Sequence, residues 1–146
     1  MGQPPAPDRV DWPDFREFPV TSRTLYQAVE QAVRSSEYGL EIDTQHSTPA
    51  TVITKHQPLS RKALRKLAFA GTPGIKGRVL YADFHVQFSI RSSFSRPEYS
   101  RVTVEPVFMV YLSRWGDHRQ WIQWRSNGVV ELDLLASIEI YLQSGN

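Results

Sequence analysis

The sequence predicts an α+β protein, a two-layer sandwich in which an antiparallel sheet of about five strands carries two helices packed on one face. Three observations support this. Two long runs between Arg78 and Leu112 alternate apolar and polar residues at period two, the pattern of half-buried antiparallel strands. The segments Arg23 to Glu37 and Gly128 to Gln143 instead repeat apolar residues at helical spacing. The order helix, hairpin, linker, long hairpin, short strand, helix leaves two amphipathic helices free to cover one side of the sheet.

Size and composition agree with this. A chain of 146 residues suits one domain that buries about two thirds of its unfolded surface. With 40% hydrophobic and 22% charged residues it has the makings of a packed core. The 17 basic residues against 15 acidic give only +2, a balance that does not favour nucleic acid as the partner. Cysteine is absent, which excludes disulfides, thiolate metal sites and thiol nucleophiles in this chain. No apolar run reaches the length of a membrane span, and Met1 to Pro7 has neither the basic nor the apolar region of a signal peptide.

Residues 1–17 read as an extended Pro-rich leader, because Pro4, Pro5, Pro7 and Pro13 disfavour a helix or a central strand. Trp12, Phe15 and Phe18 would tack its end onto the single domain, residues 18–146. Ser22 is a candidate N-cap for the first helix, which carries Leu25, Ala28, Val29, Ala32 and Val33 on one side, and Gly39 is placed to end it. Leu40 to Thr44 and Thr51 to Lys55 predict a first hairpin. Ser60 caps a short helix bearing Ala63, Leu64, Leu67 and Ala68, after which Gly71, Pro73, Gly74 and Gly77 interrupt regular structure.

In the first long run Leu80, Ala82, Phe84, Val86, Phe88 and Ile90 share one face, with Val79, Tyr81, Asp83, His85, Gln87, Ser89 and Arg91 opposite. In the second, Val102, Val104, Phe108, Val110 and Leu112 share a face, with Val107, Met109 and Tyr111 opposite. Gln120 to Arg125 is a short last strand, and the final helix has Ser126 or Asn127 as its cap. The face carrying Tyr81, Val107, Met109 and Tyr111 is more apolar than open solvent requires. A covering leader, a second copy of the chain or a partner is expected there.

Motifs of chemistry are sparse. His46, His56, His85 and His118 lie in separate segments without the spacing of a zinc site. Asp83, His85 and Gln87 line one outward strand face, which solvent exposure explains. Glu41, Asp43, Asp83 and Glu105 are scattered carboxylates suited to cross-strand charge pairing. Gly71 to Gly77 lacks the spacing of a phosphate loop. No catalytic residue, metal or cofactor is expected. Two clusters stand out as candidate contact surfaces. Arg61, Lys62, Arg65 and Lys66 put four cations in six residues, either as a solvated helix face or as a contact for anionic lipid headgroups, an acidic partner or nucleic acid. Tyr111, Trp115, Trp121 and Trp124 form the aromatic cluster, in which alternation sends Trp121 and Trp124 to opposite sides.

The opening Phe18-Pro19-Val20-Thr21-Ser22-Arg23-Thr24-Leu25-Tyr26-Gln27-Ala28-Val29, followed by Tyr38-Gly39-Leu40-Glu41-Ile42 and Ala50-Thr51-Val52-Ile53-Thr54, resembles the helix-grip-type domains of bacterial outer-membrane lipoproteins, such as the BamC-type accessory subunit of the β-barrel assembly machinery. The family pattern covers Phe18 to Thr54. The chain departs from it in having no lipobox cysteine and in the basic stretch Leu59 to Lys76. The resemblance implies a non-enzymatic cell-envelope domain acting by protein binding or scaffolding. Its place would be periplasmic or outer-membrane-anchored if a signal and lipobox lie upstream, and cytoplasmic otherwise. The rival expectations are a small-molecule or lipid-binding helix-grip protein, which could be an enzyme, and a nucleic-acid-associated module using residues 61–66.

Overall fold

The two alternating runs form the 15-residue strands β4 (Arg78–Ser92) and β5 (Ser100–Arg114), paired antiparallel from Arg78 opposite Ser113 to Ser92 opposite Ser100. Around them the computed structural model, which describes residues 14–69, 77–114 and 118–144, places β1 (Phe15–Phe18), α1 (Ser22–Ser35), β2 (Thr51–Ile53), β3 (Gln57–Pro58), α2 (Arg61–Leu67), β6 (His118–Trp124) and α3 (Val129–Ser144). The result is an α+β fold with a six-stranded antiparallel sheet and three helices, whose strands pack against the helices as a two-layer sandwich. The sheet therefore has one strand more than expected. β1 and β3 are additional, and the expected strand at Leu40 to Thr44 is reduced to one bridge, Ile42 to Thr54.

Period two decides which face is buried. Ala82, Phe84, Val86, Phe88 and Ile90 of β4 and Val102, Val104, Phe108, Val110 and Leu112 of β5 are all buried. Phe84 and Phe108 stack with centroids 5.2 Å apart. Full burial of each such side chain is worth ~1.5–3 kcal/mol, so this face supplies much of the driving force. The alternation breaks once. A register shift between Val79 and Tyr81 sets Val79 opposite Leu112 and packs it against the core, whereas the periodic pattern assigns Val79 to the outer face and Leu80 to the core.

α1 and α3 pack on each other and on the buried faces of β4 and β5. The α1 N-cap is Thr21 rather than Ser22, its Oγ1 accepting the Thr24 amide at 3.2 Å. The helix stops at Ser35, two residues short of the expected end, where the Ser35 hydroxyl bonds back to the Gln31 carbonyl at 2.9 Å and competes with helix propagation. Gly39 then takes a φ of 67°, a left-handed turn that suits glycine. The Asp43 carboxylate gathers the Gln45 and His46 amides into a turn, and this shortens the first hairpin.

The leader ends earlier than expected. Residues 15–18 form β1, paired with β5 from Phe15 opposite Thr103 to Phe18 opposite Ser100. Phe18 is buried, and Phe15 lies under the Arg101 guanidinium at 4.2 Å, while Trp12 falls outside the described residues. β6 pairs the far end of the same edge, from Phe108 opposite Trp124 to Arg114 opposite His118. Between them, among the described residues, no strand pairs β5 at Pro106, whose nitrogen has no hydrogen to donate to a neighbouring strand.

Candidate functional site

The helices take one face of the sheet, and among the described residues the other face carries a row of aromatic side chains. Tyr81 of β4 stands opposite Tyr111 of β5, which stands opposite Trp121 of β6. Their rings form one row across three strands, with centroids 6.1 Å apart for Tyr81 and Tyr111 and 5.1 Å apart for Tyr111 and Trp121. Tyr81 remains 67% exposed and Trp121 51%. Tyr81 and Tyr111 stand in the register that runs unbroken from them to Ser92 opposite Ser100, and the shift falls beyond Tyr81, toward Val79. Val107 and Met109, both partly exposed, continue the surface along β5.

Further along the same face lies a polar cluster. His85 pairs with Val107 across the ladder, and its ring stacks on His56 at a centroid distance of 4.1 Å. The Asp83 carboxylate accepts from or pairs with His56 Nδ1 at 2.7 Å. Gln87 Nε2, which can only donate, lies 3.3 Å from His85 Nε2. A neutral His85 therefore carries its proton on Nδ1, an atom buried without a hydrogen-bond partner among the described residues. His85 is only 7% exposed, which corrects the expectation that solvent exposure explains it. Burial lowers its pKa, the charge on His56 lowers it further, and Asp83 opposes both.

No family model, no curated protein and no solved structure matches the chain.

The structure brings some predicted residues together and separates others. Tyr111 and Trp121 are joined by Tyr81. Trp124 is 9% exposed on the core side, so it does not belong to the open aromatic surface, and Trp115 lies outside the described residues. Arg61, Lys62, Arg65 and Lys66 are all exposed on α2, on the helix side of the sandwich. Three of the four carboxylates have partners: Glu41 forms an ion pair with Lys55 at 3.0 Å, and Asp43 and Asp83 hydrogen-bond the Nδ1 atoms of His46 at 2.8 Å and His56 at 2.7 Å. Among the described residues no group of three His, Asp or Glu side chains is placed to hold a metal ion. Residues 70–76 of the glycine-rich stretch lie outside the described residues. Sequence reasoning missed the His56 and His85 stack, because His56 follows β2 in an irregular segment whose direction no periodicity reports.

Proposed function

We propose that the protein is a non-enzymatic binding or scaffolding domain that docks a protein partner on the open face of its sheet. One observation carries this reading, the row Tyr81, Tyr111 and Trp121, whose rings pack side by side with Tyr81 and Trp121 exposed at its two ends. Tyr and Trp are the residues that dominate protein interfaces, and a row of them held by strand pairing needs little ordering on association. Val107 and Met109 extend the row into a contiguous patch of the kind that marks an interaction site. The envelope location and the lipoprotein-like role rest on the resemblance of Phe18 to Thr54, and the gene upstream of Met1 tests them by the presence of a signal and a lipobox cysteine.

The docking surface is tested in cells of the source by a photo-crosslinking residue placed at Trp121, with the same residue at Gln31 on the exposed side of α1 as the control. A discrete protein adduct at 121 and none at 31 is the expected result. An adduct of twice the chain's mass would identify the partner as a second copy. Equal adducts at both positions, or none at 121, would refute the reading.

A further inference from the structure

The helix side of the sandwich carries a second surface that the core does not explain. On α2, Arg61, Lys62, Arg65 and Lys66 are exposed, and among the described residues none of them forms an ion pair. Lys62 and Lys66 lie one turn apart, as do Arg61 and Arg65, so cations cover the outward half of the helix. Beside it, α3 is apolar on both sides. Val130, Leu134, Leu135 and Ile138 pack into the core, while Val129, Leu132 and Ile140 are exposed, Ile140 to 62%. With Ala136 between them these residues follow helical spacing, and the stripe runs ~16 Å along the outside of the helix.

A cavity of about 460 Å³ joins the two helices. Leu59, Ala63, Leu67, Phe84 and Val129 form its apolar wall, and Lys66 also lines it. Val129 belongs to both the cavity and the stripe, and Lys66 to both the cavity and the cations, so the three features are continuous. Glu37 and Asp133 stand on the same wall, and the Tyr38 hydroxyl donates to Asp133. Four cations against two carboxylates leave this surface at +2. A basic helix beside an exposed apolar stripe fits a lipid interface, where phosphates meet the cations and acyl chains meet the stripe. Nucleic acid would use the cations and leave the stripe bare.

We propose that α2 and the outer stripe of α3 dock on an anionic lipid bilayer, with the cations at phosphate level and Val129, Leu132 and Ile140 against the acyl chains. The opposite layer holds the aromatic row, so this surface stands or falls independently of the partner-docking reading.

Co-sedimentation of the full chain with vesicles tests it. Vesicles of phosphatidylglycerol mixed with phosphatidylcholine should carry the protein down, phosphatidylcholine alone should not, and raised salt should release it. Replacing Lys62→Gln together with Lys66→Gln should weaken binding about thirtyfold. Ile140→Glu, an exposed change, should weaken it while circular dichroism stays that of the parent. The proposal is overturned if anionic vesicles leave the protein in solution, or if both variants bind as the parent does. Retention on duplex RNA through the same lysines without vesicle binding would overturn it in favour of nucleic acid. Thermal protection by inorganic phosphate alone would reduce the site to an anion contact and overturn it as well.

Discussion

His85 shows how one residue can be legible in position and hidden in environment. Alternation assigns it correctly to the face opposite Phe84, yet the stacking of His56 over it turns an outward residue into a buried one. Its pKa is held below the ordinary 6.5, first by burial, then by the charge on His56, with Asp83 opposing. The unfolded chain therefore takes up a proton on His85 before the folded chain does, and unfolding is favoured as pH falls. Its contribution to stability is complete above about 6.5 and is lost as pH drops from there toward the lower folded value. Urea titrations across that range should show stability declining on acidification, with a shallower decline in His85→Leu. An unchanged slope in that variant would locate the pH dependence elsewhere.

The elements were legible where periodicity is long and illegible where single hydrogen bonds decide. β4, β5 and α3 announce themselves over 15 or 16 residues. β1 and β3 have no sequence pattern of their own at four and two residues, and they exist because the long hairpin offers free edges. α2 is likewise too short to hold alone. Besides the Ser60 cap and the burial of Leu64 and Leu67, it depends on Asn127, whose Nδ2 donates to the Lys66 carbonyl at 2.7 Å and whose Oδ1 accepts the Val129 amide at 3.1 Å. One side chain thus closes the end of α2 and opens α3. Asn127→Ala should cost ~1–2 kcal/mol in denaturant unfolding. Asn127→Asp should recover part of that loss, since it keeps the acceptor for α3 and adds a favourable charge at its N-terminus while losing the donor to Lys66.

For the whole molecule, the sandwich follows from two long strands with one greasy face and two helices made to cover it. The layer arrangement was therefore readable from the sequence. The candidate surfaces were readable only in part. Tyr111 and Trp121 were visible as an aromatic cluster, but their union with Tyr81 depends on the register of the long hairpin, and alternation gives a residue its face without giving its cross-strand partner. Alternation sends Trp121 and Trp124 to opposite sides, and the pleat indeed leaves Trp121 exposed and buries Trp124. The two layers thus present different surfaces to the surroundings, aromatic on the sheet side and basic with an apolar stripe on the helix side.

The aromatic row is the centre of this account, and equilibrium binding of the partner identified by crosslinking at Trp121 tests it most directly. Tyr111→Ala combined with Trp121→Ala should weaken that binding by about thirtyfold or more, the loss expected when interface anchors are truncated, with the circular dichroism of the parent retained. An affinity within about twofold of the parent would contradict it.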